Sequence, residues 1–227
     1  SAFGCTESQI STIKRDLQRM HEFAAAASTF LKEPDSHTTA AFIAWFGEKN
    51  SKEGRANAIR QKVYDRIYGL GNSIQGTAPG LNTGGDRKVV LGCATRKTEQ
   101  QCNSNTFALS YSAGNYAMLC PNYFRVDATY ENAFAAWRDR RDYRHLGAET
   151  LLHEMTHLDK VVGEVWMTSD LAYGPKSCMG LADKDKIENA DNFAFFAYEI
   201  MANPTRARKQ VDMKSSGAKR RIAEQLL

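Results

Sequence analysis

No stretch of the 227-residue chain approaches the run of about 20 apolar residues that a membrane helix needs, so no spanning helix is expected. The first residues show neither a charged n-region nor an apolar h-region, the pattern of an export signal. None of the five cysteines has C-x-x-C spacing, which argues against a thiolate zinc site or a dithiol redox centre. There is no N-x-S/T acceptor, because Asn203 is followed by Pro204, and no internal repeat or low-complexity tract. Charge is also nearly balanced, at +4. Much of the excess lies in "RDRRDYR" (138–144) and "TRARKQVDMKSSGAKRR" (205–221), which read as a solvated face and a tail, so no nucleic-acid partner is expected. Cys5, Cys93, Cys102, Cys120 and Cys178 suffice for two disulfides and one odd thiol. That count favours an oxidising, extracellular setting and a secreted protein over a cytosolic one with five buried thiols.

What is present is enough apolar sequence for one sizeable core or two small subdomains sharing a cleft. Thr6 and Gln9 have capping-box spacing, and Ile10, Ile13, Leu17, Met20, Ala24, Ala27 and Leu31 recur at threes and fours, predicting a first helix closed by Pro34. "TTAAFIAWFG" predicts a short helix ending near Gly47, and a third helix starts near Ser51 with Ala56, Ile59, Val63 and Ile67 on one face. Residues 69–86 hold six glycines and a proline and read as a long loop or subdomain boundary. "KVVLGC", "TFALSY" and "YAMLC" read as strands, the last two a hairpin across "SAGN". Further helices are expected over 131–144, about 148–161, and in "DKIENADNFAFFAYEIMAN" up to Pro204. The order is that of an α+β fold, mainly helical with a small antiparallel sheet: one domain over 1–204 and a basic tail over 205–227.

Within the penultimate helix lies "ETLLHEMTHLDK" (149–160). Residues four apart lie one turn apart on the same helix face, so His153 and His157 can hold one metal ion. Glu154 is turned away from direct ligation but can reach a bound water, the position of a general base in metal-assisted hydrolysis. Leu151, Leu152 and Met155 allow the segment to be buried. The competing reading is a solvent-edge helix with incidental histidines.

A catalytic zinc takes three protein ligands and keeps one position open. No histidine follows His157, and Lys160 stands where H-E-x-x-H-x-x-G-x-x-H requires glycine. The upstream His21, His37 and His145 read as surface or structural residues, leaving the carboxylates Glu164, Asp170, Glu188 and Asp191, among which spacing does not choose. "HEMTH" followed by "TSDLAYG" resembles the aspzincin signature of the deuterolysin and peptidyl-Lys metalloendopeptidase family. "GCTESQ" (4–9), "AWFG" (44–47) and "NADNFAFFA" (189–197) fit the same pattern, and the likeness spans roughly residues 4–201.

The resemblance implies a zincin-like fold and a zinc-dependent endopeptidase acting on proteins or peptides, with one Zn2+ per chain; apart from it, no membrane partner is expected, and a monomer is. Position by position it implies His153, His157 and Asp170 as ligands, Glu154 as base and Tyr173 as a hydroxyl donor to the oxyanion. It also implies Cys5–Cys93 and Cys102–Cys120 pairs, with Cys178 left as a buried thiol. Met167 departs from the family's glycine at the start of the second motif. In lysine-specific members an aspartate and a glutamate three residues later receive the substrate ammonium; Asp191 matches the first, and Ala194 stands at the second. A basic preference after the cut bond and an orienting role at the metal site are both open for Asp191. The alternative to an enzyme is a catalytically silent secreted zinc-binding protein of the same fold.

Overall fold

The computed structural model describes residues 4–75, 81–84 and 88–211. Helix α1 (Glu7–Leu31) begins at the Thr6/Gln9 capping box, in which each side chain accepts from the other's backbone amide. Its stripe of Ile13, Leu17, Met20, Ala24, Ala27 and Leu31 is buried, as the periodicity predicts. Helix α2 (Ala40–Phe46) is capped by the Thr39 hydroxyl and stopped by Gly47 at φ +87°, a left-handed value that glycine accepts without strain. The third predicted helix is one helical stretch in three parts: α3 (Glu53–Ile59), a π-helical turn (Arg60–Tyr64) and α4 (Asp65–Tyr68).

Strands β1 (Gly71–Gln75), β2 (Leu81–Gly84), β3 (Val90–Cys93), β4 (Ala108–Tyr111) and β5 (Tyr116–Leu119) form one sheet in the order β1-β2-β3-β5-β4. The glycine-rich segment is therefore partly strand and not wholly loop: β1 pairs with β2, which is held in turn by β3. The expected β4–β5 hairpin is present, turning through Asn115 at φ +46°. The sheet is mixed, however, because β3 runs parallel to β5. A crossover through residues 94–107 permits this, and it leaves β4 on an edge.

Helices α5 (Tyr130–Arg140), α6 (Gly147–Thr156), α7 (Asp159–Val162), α8 (Pro175–Gly180), α9 (Asp183–Lys186), α10 (Ala190–Ala202) and α11 (Pro204–Ala207) complete the chain. The expected final helix is split into α9 and α10. Helix α10 is the axis of the core: Phe196 packs against Phe46 at 4.8 Å and Phe30 at 5.6 Å, and Phe195 stacks on Trp45 at 5.2 Å between ring centroids. Helix α6 lies between α1 and α10. A Cβ on Gly147 would overlap the Asp16 carboxylate, so glycine is what lets these helices approach. Asp16 in turn accepts from the Tyr123 and Tyr130 hydroxyls.

Cys5 pairs with Cys93 and Cys102 with Cys120, and Cys178 is a buried free thiol. Both bridges brace the sheet, the first tying it to the start of α1. Beyond Pro204 the chain continues along the body: Ala40 N–H donates to the Lys209 carbonyl, Val211 N–H to that of Thr38, and Arg206 pairs with the buried Glu199. Residues 212–227, most of the basic tail, lie outside the described residues. Among the described residues no helix is long and apolar enough to cross a membrane.

Candidate metal centre

Helix α6 buries Leu151, Leu152 and Met155 toward the core and turns His153 and Glu154 to a cleft on its other side. It ends earlier than the periodicity predicts, at Thr156, with His157 as its C-cap. The chain then returns through α7 and a short 3-10 turn over Glu164–Trp166. The returning segment is pinned at both ends. Thr168 N–H donates to the Thr156 carbonyl, while Ser169 N–H donates to the Glu188 carbonyl and receives Ala190 N–H on its own. Asn189, fully buried, accepts Leu171 N–H at 2.8 Å and Ala172 N–H at 3.0 Å. Met167 has φ −60° and ψ 136°, ordinary for any L-residue, so this turn does not need the family's glycine.

The result is that Asp170, of the four carboxylates open on sequence, faces the two histidines. Its Oδ1 lies 3.1 Å from His153 Nε2 and 3.2 Å from His157 Nε2, and the two Nε2 atoms are 3.1 Å apart. Each outer ring nitrogen has a partner. His157 Nδ1 lies 3.0 Å from the Thr168 carbonyl oxygen, which can only accept, and His153 Nδ1 lies 2.7 Å from Asp191 Oδ1. With the proton on Nδ1 in both rings, both Nε2 atoms present lone pairs to the same point as a carboxylate oxygen. Three acceptors converging without a donor between them repel one another unless a cation lies among them. A tetrahedral zinc with bonds of about 2.0–2.1 Å separates its ligands by about 3.3 Å, close to the observed triangle. His153, His157 and Asp170 therefore fit a divalent metal.

Around this triangle, Glu154 Oε2 accepts from Ser110 Oγ of β4 at 2.6 Å. Tyr173 is 64% exposed, its ring parallel to that of His153 at 6.3 Å; burial and then the hydrogen-bonded Asp170 push its hydroxyl pKa up. Both oxygens of Asp191 are engaged, Oδ1 by His153 and Oδ2 by Gly174 N–H at 3.0 Å. Glu164 is exposed on the 3-10 turn, and Glu188 meets the segment through its backbone carbonyl.

The cleft, about 940 Å³, extends from the triangle along β4 and the start of α6. Sequence reasoning did not select several of its residues. Ser110 carries no signal, being one serine in a strand, and His145 reads from sequence as a surface or structural residue. His145 in fact stacks on Phe107 at 3.8 Å, and burial pushes its pKa down to about 4. Glu149 lies one turn before His153 and on the same face, a spacing that could have marked it. Burial, and then the Asp191 charge, push its carboxyl up to about 8.

Residues 31–198, well over half the chain, match the aspzincin family model, described as lysine-specific metallo-endopeptidase. The chain is 27% identical to a neutral protease 2 homolog of Blastomyces gilchristii, over 88% of this chain and 46% of that protein. It is 30% identical to one of Paracoccidioides brasiliensis, over 73% and 42%. It thus spans about half the length of the curated relatives it matches. The fold superposes on a zinc peptidase from Grifola frondosa with a TM-score of 0.61 at 20% identity, covering 88% of this chain and 99% of that one. The chain belongs to the aspzincin family of metallo-endopeptidases.

Proposed function

We propose that this domain is a secreted zinc-dependent endopeptidase, with one zinc per chain held by His153, His157 and Asp170. The observation that carries the reading is the triangle of three acceptor atoms, 3.1–3.2 Å on a side, with the Glu154 carboxylate beside it. When bound, zinc acidifies water and polarises the scissile carbonyl. Glu154 takes the proton of the attacking water and delivers it to the leaving amine, so that water is added across the C–N bond as that bond breaks. Ser110, donating to Oε2, fixes the Glu154 carboxylate and leaves Oε1 to handle the proton. Tyr173, exposed at the rim, donates its hydroxyl to the carbonyl oxygen as negative charge develops there.

Asp191 holds His153 in the ligating tautomer and adds negative charge to the cleft, which favours a Lys or Arg side chain after the cut bond. Substrates are proteins or peptides, and the domain acts as a monomer. Two disulfides in one small domain support an extracellular setting. The test is the Glu154→Ala protein: it should retain zinc and lose protein cleavage, while the parent loses cleavage in chelator and regains it with added zinc. Full activity in Glu154→Ala, or a parent that binds zinc and cuts nothing, rejects the mechanism, the second outcome leaving a silent zinc-binding protein.

A further inference from the structure

The proposed reaction leaves one apolar surface beside the cleft unused. Four of the six exposed large hydrophobic residues among the described residues, Val165, Met167, Leu171 and Tyr173, fall within residues 165–173. Trp166 and Ala172, interleaved with them, pack against the core, so the outward set is placed by a folded turn and not by a frayed end. The turn is also fixed: Thr156, Glu188 and Asn189 hold residues 168–172 through backbone hydrogen bonds. Single apolar side chains scattered over a surface need no explanation, whereas a concentrated, rigid set beside an open cleft marks a place of contact.

Met167 joins this surface to the cleft. Its Sδ lies 3.7 Å from Ser112 Oγ, and Ser112, in the turn after β4, lines the cleft as Tyr173 does. Strand β4 measures how far along the cleft this is. Ser110 Oγ touches the Glu154 carboxylate, and Ser112, two residues on and on the same side, stands about 6.6 Å farther along, the distance in which an extended peptide also advances two residues. Phe107, at the other end of β4, stacks on His145 in the wall that also holds Asp191 and Phe195, the end assigned above to the side chain after the cut bond. Met167 therefore stands beside the residues that precede the cut bond. The turn takes any L-residue at 167, where the family motif has glycine, so this side chain is an addition to the cleft rim and not a demand of the backbone. A thioether on a flexible stem moulds itself to apolar side chains of different shapes.

We propose that Met167 is a specificity-determining residue that receives the two residues before the cut bond and selects apolar side chains there. Leu171, exposed on the same turn, extends the apolar surface. The inference rests on the endopeptidase reading above and deepens it on the side of the cut bond that Asp191 does not serve. A purely structural role, in which Met167 only braces the turn that offers Asp170, would act on every substrate alike.

The zinc-loaded full chain is assayed on two peptides that are identical after the cut bond and carry either Leu-Leu or Ser-Ser before it. The parent should prefer the Leu-Leu peptide. Met167→Ala should lower kcat/KM for that peptide by about fivefold or more and change the Ser-Ser peptide by less than about twofold. A structural role lowers both alike; that outcome, or a parent without the preference, overturns the proposal. Should the alanine variant not fold, Met167→Gln, close to methionine in shape and still an acceptor for Ser112, should lose the preference, while Met167→Leu should keep it; an unmoved ratio in the glutamine variant rejects the assignment. A parent that cuts neither peptide rejects the endopeptidase reading alone. Calorimetric titration of the zinc-loaded chain with acetyl-Leu-Leu and acetyl-Ser-Ser acids then decides the Met167 proposal: the parent should bind the first more tightly, Met167→Ala should bind the two alike, and equal binding by the parent overturns it.

Discussion

Replacing Asp191 by asparagine tests how much of the metal centre lies outside its ligands. In the parent, Oδ1 accepts the His153 Nδ1 proton at 2.7 Å and Oδ2 accepts Gly174 N–H at 3.0 Å. An asparagine can satisfy only one of these. If its oxygen faces His153, its NH2 meets the Gly174 amide, donor against donor; if it flips, His153 loses its acceptor and the Nδ1–H tautomer is no longer fixed. The charge that strengthens the imidazole as a ligand is lost either way. Removing such an outer partner typically weakens zinc binding by about 10- to 100-fold, or about 1.4–2.7 kcal/mol. Competition between Asp191→Asn and a chromophoric chelator at neutral pH measures this directly, with the thermal midpoint of the metal-free form as a control for folding. Zinc affinity within about twofold of the parent would refute the reasoning and free Asp191 for substrate contact alone.

Two further outcomes follow from the geometry. Ser110→Ala removes the donor that fixes Glu154 and should lower kcat by about tenfold, with zinc content and KM little changed, because the hydroxyl touches the base and not the ligands; steady-state kinetics beside metal analysis checks it. The Cys5–Cys93 bridge closes a separation of 88 residues and Cys102–Cys120 one of 18. Chain entropy assigns about 4.6 and about 3.2 kcal/mol to them, so the paired Cys5→Ser, Cys93→Ser protein should show the lower denaturation midpoint of the two double variants.

Those features that depend on local spacing were legible in the sequence. The capping box of α1, the stop at Gly47, the β4–β5 hairpin and the His153–His157 pair each rest on residues within a turn or a loop of one another. Features that depend on a partner far along the chain were not. Residues 71–75 and 81–84 carry the composition of a loop and become strands because β3 offers an edge to pair with. The parallel β3–β5 pair likewise depends on a crossover that no period announces. At the site, spacing left four carboxylates open, and the family likeness singled out Asp170. Glu149 went unread because an acid in the first turn of a helix is ordinarily a cap, and its place in the cleft wall depends on Phe107, Tyr143 and Phe195 from three other parts of the chain.

The position of Asp170 shows why the third ligand cannot be found by counting. Helix α6 stops at Thr156, and had it continued to residue 161, as its apolar periodicity allows, the Thr156 carbonyl would face inward along the helix instead of accepting Thr168 N–H. The early stop frees that carbonyl, and the Thr156 and Thr168 hydroxyls, 2.6 Å apart, close the joint. Thr168 then turns its own carbonyl to His157 Nδ1. On the far side, Asn189 and Asp191 bind backbone amides of residues 171, 172 and 174 from the first turn of α10. The segment that offers Asp170 to the ion is thus suspended between the end of one helix and the start of another. Its shape follows from those two helix ends, which is why a methionine at position 167 leaves the site intact.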